Sequence, residues 1–86
     1  MINCVGWTVD GSPVVDGLWQ FRGTYGMPLA FMFEMLKARD IVPSWMHLVA
    51  EMPRTKLKEL KSEIIDVYGM EYMNGINEKF RVREWL

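Results

Sequence analysis

The chain has 86 residues, half of them apolar and 13% aromatic, with a formal net charge of −1. That length suits one small domain over residues 1–86. The slightly acidic balance argues against the positive surface field on which sequence-independent nucleic-acid or membrane-surface binding relies.

The first element in chain order is a hairpin. In WTVDGSPVV, Asp10-Gly11 separates two β-branched runs and supplies the positive φ of a tight turn, predicting strands over Cys4–Val9 and Pro13–Val15. Pro13 cannot donate to a ladder, so the second strand is expected at a sheet edge. Asp16 is the expected N-cap of a helix over about 17–25, with Leu18, Phe21 and Tyr25 on one face and Gly26 as its stop. Gly23 weakens that helix, and Leu18-Trp19-Gln20-Phe21 also suits a strand.

Pro28 starts the clearest helix, about 28–39. Leu29, Met32, Phe33 and Leu36 fall at i, i+3, i+4 and i+7. Phe31 and Met35 widen the apolar stripe to about 200°, leaving Glu34 and Lys37 a narrow polar side. Pro43 breaks the chain after Asp40. Ser44 then caps a helix over about 45–52, in which Trp45, Leu48, Val49 and Met52 share a face and Pro53 ends the run. Thr55 is the expected cap of a helix over 56–68, with Leu57, Leu60, Ile64, Val67 and Tyr68 inward and Gly69 as the stop. A last, intrinsically weak helix over 70–80 carries Tyr72, Met73, Ile76 and Phe80. Residues 80–86 suit a strand beside the hairpin or a continuation of that helix. The expected fold is therefore α+β and mainly α: a short N-terminal hairpin docked on four or five short helices. Trp7, Trp19, Trp45, Leu29, Phe33, Leu36, Leu60 and Ile64 are its expected core.

Catalytic and metal-binding constellations are hard to assemble. The single Cys4 excludes an internal disulfide, lies in an apolar strand and is expected to be buried rather than nucleophilic. His47 and Glu51 stand at i and i+4, but with one histidine the pattern reads as a solvated helix pair rather than half of a metal site. The glycines at 6, 11, 17, 23 and 26 lack the spacing of a phosphate-binding loop. No nucleophile, base and anion-stabilising set comes together, so no enzyme activity, cofactor, metal or small-molecule substrate is expected. With no secretory leader pattern and no apolar run near ~18 residues, the reading expects a cytoplasmic protein without a membrane role.

Two features point to contact with other molecules. Met27 to Pro53 holds five of the eight methionines. Methionine usually fills gaps in a core, yet it also suits adaptable binding surfaces. A domain this small hides only about 60–65% of the surface its unfolded chain exposes. One flank of helix 28–39 therefore belongs to the core, and the other, Phe31 and Met35 with Met46, is the candidate contact surface for a partner protein or a second copy. In PRTKLKELK, Arg54, Lys56 and Lys58 crowd a helix start, where the macrodipole disfavours cations. Glu59 and Glu63 can compensate; otherwise these charges steer an acidic partner.

The alternative function is nucleic-acid binding through the basic residues at 54–61 and 81–83, namely Arg54, Lys56, Lys58, Lys61, Arg81 and Arg83. Pro28–Met52 also has the outline of a helix-turn-helix. Its second helix exposes Met46, His47, Ala50 and Glu51, without the arginine, asparagine or glutamine that reads base edges.

The run DGLWQFRGTYGMPLAFMFEMLKARDIVPSW, residues 16–45, resembles small phage-encoded accessory proteins, through its Gly-x-Pro-Leu helix start and Val-Pro-x-Trp break. IIDVYGMEY, residues 64–72, is similar in flavour. The resemblance spans about half the chain. It implies action by contact, as an assembly chaperone, a head or tail accessory or an inhibitor of a host protein, and it carries over no functional residue.

Overall fold

A computed structural model of the protein describes residues 2–80, and the side chains of residues 2–76. Two strands, β1 (Asn3–Trp7) and β2 (Pro13–Asp16), open the fold, followed by helices α1 (Leu18–Tyr25) and α2 (Leu29–Ala38). A two-residue strand, β3 (Val42–Pro43), leads into α3 (Trp45–Glu51). A 3₁₀ turn at Arg54–Lys56 then leads into α4 (Leu57–Tyr68), and α5 (Met70–Phe80) follows. The architecture is α+β and mainly helical, with the sheet at the N-terminus.

The hairpin forms where Asp10-Gly11 places it. Thr8 N–H donates to the Ser12 carbonyl at 2.8 Å, and Gly11 N–H donates to the Thr8 carbonyl at 3.0 Å. Gly11 takes φ 88°, closing a three-residue loop of the kind that ends in a left-handed residue. β2, however, is the central strand: it pairs antiparallel with β1 and parallel with β3. Pro13 is tolerated because it is the first residue of β2 and faces Trp7, where the antiparallel ladder needs no N–H. The Asp40–Pro43 break thus contains a strand that local periodicity does not reveal.

The α2–β3 turn has its own chemistry. Asp40 N–H donates to the Lys37 carbonyl and Ile41 N–H to that of Leu36, the paired bonds of a helix end that needs a left-handed residue between them. Asp40 supplies it with φ 56°. The buried Ser12 hydroxyl donates to the Asp40 carboxylate at 2.9 Å, tying the hairpin loop to this turn.

The core is built around Phe33, Leu60, Ile64 and Met73, all fully buried. α4 packs against α2 and α5, and α1 contacts α2 and α3. Leu57, Leu60, Ile64 and Val67 line the inward face of α4, as their spacing requires. Phe33, Trp45, Tyr68 and Tyr72 form an aromatic cluster at the centre, with Trp45 edge-on to both Phe33 (5.3 Å) and Tyr68 (5.7 Å). Such pairs add about 0.5–1.5 kcal/mol each beyond area burial. Of the expected core, Leu29, Phe33, Trp45, Leu60 and Ile64 are buried, while Trp19 and Leu36 are partly buried against them.

Four local expectations are corrected. Trp7 is 70% exposed rather than core; it stands at the end of β1, the edge strand of the sheet. Cys4 is exposed, since β1 lies at the sheet edge with little packed against it. Asp16 ends β2 instead of capping α1. Left-handed Gly17 occupies the cap position, and Asp16 Oδ1 is buried with no hydrogen-bond partner among the described residues. Thr55 lies inside the 3₁₀ turn and does not cap α4, whose preceding residue is Lys56. The strand-or-helix question over residues 81–86 lies outside the described residues.

Candidate functional site

On α2 the sequence places two apolar flanks, and the fold treats them differently. Leu29, Met32 and Phe33 are buried, whereas Phe31 is 55% and Met35 38% exposed. Phe31 and Met35 stand one turn apart, so their side chains share one patch of the helix surface. Lys37, at the end of the same helix, reaches across to α4. Its Nζ donates to the Val67 carbonyl at 2.9 Å and stands 6.0 Å from the Tyr68 ring centroid. That cation meets the negative end of α4 and fixes α2 against it.

Met46, 61% exposed, belongs to a different feature. It lines an open groove of about 590 Å³ together with Val14, Val42 and Pro43 of the sheet and Tyr72 and Ile76 of α5. Trp7 also borders the groove, and neither Phe31 nor Met35 lines it. The three methionine-surface residues thus divide into an α2 patch and a groove wall. The groove was not foreseen from the sequence. It lies between the sheet and helices α3 and α5, and its sheet wall depends on the parallel β2–β3 pair, which has no local signature.

The groove's polar groups are few. The Ser44 hydroxyl is hydrogen-bonded to His47 Nδ1, in place of the expected His47–Glu51 pairing. Ser44 occupies the N-cap position of α3, but its hydroxyl makes no hydrogen bond to the backbone of that helix. Trp45 Nε1–H donates to the Tyr72 hydroxyl at 3.1 Å. Burial raises the Tyr72 phenol above its ordinary value, partly offset by that hydrogen bond. Burial, followed by the neighbouring Tyr72 and Glu34, raises Tyr68 further. Both phenols are held neutral, as fits packing groups rather than acids at work near neutral pH. Among the described residues, no group of three or more histidine, cysteine, aspartate or glutamate side chains is placed to hold a metal ion.

The basic stretch is partly self-compensated. Lys56 Nζ lies 3.7 Å from Glu59, an i,i+3 pair with both side chains largely in solvent. Such a pair contributes a few tenths of a kcal/mol. Arg54 and Lys58 are exposed. Arg81 and Arg83 lie outside the described residues. No helix among the described residues is long and apolar enough to cross a membrane.

No protein-family model, curated protein or solved structure matches this chain.

Proposed function

We propose that this chain is a non-catalytic protein-interaction protein whose primary contact surface is the outer flank of α2, Phe31 and Met35. The groove wall at Met46 forms a second apolar surface on the same molecule. One observation carries the reading: opposite faces of a single helix bury Phe33 completely and leave Phe31 more than half exposed. Exposing an aromatic ring and a flexible thioether side by side costs solvation that a protein partner would recover, and methionine adapts to a partner's contours. Arg54, Lys56 and Lys58 add positive charge near the start of α4, suited to steering an acidic partner surface. Action as a phage-type assembly accessory or as an inhibitor of a host protein is one form such contact would take.

Nucleic-acid binding is the weaker reading. Lys56 is engaged with Glu59, the net charge is −1, and the outward residues of α3 carry no arginine, asparagine or glutamine.

The test compares wild type with the Phe31→Ser/Met35→Ser variant. Each is immobilised and used to capture proteins from host extract, and the captured protein is then purified and titrated against both by calorimetry. A purified partner that binds wild type, and binds the double variant at least about tenfold more weakly (1.4 kcal/mol), supports the reading. A partner that binds both equally, or a salt-sensitive gel shift with DNA or RNA in its place, rejects it.

A further inference from the structure

We infer that the outer edge of β1 is a self-association site, at which a second copy of this chain adds its own β1 antiparallel to the first. The observation behind this is independent of the α2 surface. β1 ends the sheet, and among the described residues nothing pairs with its outer side. Opposite Trp7 stands Pro13, which has no N–H, so this is a non-hydrogen-bonded pair of the ladder. The N–H and C=O of Trp7 therefore point away from β2, toward the open edge.

Edges of this kind are ordinarily blunted by charges, prolines or a covering element. β1 reads Asn-Cys-Val-Gly-Trp, with neither a charge nor a proline. Among the described residues, the bulge beside Val5 is the one protective device at this edge. The opposite edge is much less available, because β3 is two residues long and includes buried Pro43. Exposed apolar side chains also gather here. Val5 (46%) and Trp7 (70%) lie within β1, with Ile2 (40%) just before it and Val9 (106%) just after it.

The occupant must be an extended backbone to meet those main-chain groups, and it must be uncharged and apolar to match the strand. A second β1 meets both conditions. A twofold axis pairs a strand with itself antiparallel, and here it opposes no like charges. The product is a continuous sheet of twice three strands. It also lengthens a hairpin that alone is marginally stable.

Cys4 supplies a built-in probe, being the chain's one cysteine, exposed and within β1. Light scattering on the full chain should report twice 10.1 kDa. A nitroxide on Cys4 should show strong dipolar broadening that disappears on dilution with unlabelled protein. Val5→Lys should abolish both signals with an unchanged circular dichroism spectrum. Should that variant fail to fold, the nitroxide on otherwise wild-type protein still decides the matter. A wild-type monomer, a dimer without dipolar broadening, or a dimer that survives Val5→Lys in folded protein would overturn the proposal. A dimer lost only in Phe31→Ser/Met35→Ser would overturn it in favour of α2.

Discussion

The Trp45 indole N–H donates to the Tyr72 hydroxyl at 3.1 Å, joining α3 to α5 across 27 residues of sequence. Both rings also pack within the central aromatic cluster, 6.1 Å apart and nearly perpendicular. α5 is intrinsically weak, with Asn74 and Gly75 in its middle, so this link and the buried Met73 and Ile76 hold it in place. Tyr72→Phe keeps the ring and leaves the Trp45 donor unpaired at a buried position. The expected cost is about 1–3 kcal/mol, measured as a lower midpoint of urea unfolding with an unchanged m value.

Lys37 tests the seam between α2 and α4. Lys37→Met retains most of the apolar stem and removes the charge-assisted bond to the Val67 carbonyl at the end of α4. Stability should fall by about 1 kcal/mol at low salt, and part of that loss should vanish as salt is added. A variant as stable as wild type under both conditions would show that the bond contributes nothing.

Glu63 carries the pH dependence. Burial, with the Glu59 charge beside it, raises its carboxyl above the ordinary glutamate value, against the pull of Arg22. A carboxyl raised in the folded state favours folding when protonated. Its contribution is therefore lost as pH rises from the unfolded value through the folded one. Glu63→Gln should melt at a higher temperature than wild type at neutral pH. The difference should shrink below pH 4.5, where the wild-type carboxyl is protonated in both states. Because the side chain is largely solvated, the gain should be small.

Much of this fold is written locally. Asp10-Gly11 marks the hairpin, Pro28 and Pro53 bracket helices, and Gly26 and Gly69 end them with positive φ. The inward face of α4 follows directly from its leucine and isoleucine spacing. What escaped is non-local. β3 exists because Val42 and Pro43 meet Val14 and Val15 in parallel, a pairing between residues 28 apart that no short window records. The bulge beside Val5 likewise depends on the β1–β2 register, which pairs Cys4 with Val15 and Gly6 with Val14. Two expected caps differ for local reasons: the Ser44 hydroxyl bonds the His47 side chain rather than the α3 backbone, and left-handed Gly17 holds the position expected for Asp16. For the candidate site, the exposure of Phe31 and Met35 accords with the width of the α2 stripe, and that of Met46 with its place on the outward side of α3. The separation of Met46 from the other two needed the packing of three helices.

The central claim is that the outer flank of α2 is surface, and unfolding of the Phe31→Ser/Met35→Ser variant tests it without needing any partner. Two substitutions of exposed side chains should change stability by no more than about 1 kcal/mol in total, leaving a cooperative transition and a native-like spectrum. A loss of more than about 3 kcal/mol, or a chain that no longer folds, would mean that these side chains are core, and the interaction surface would not exist.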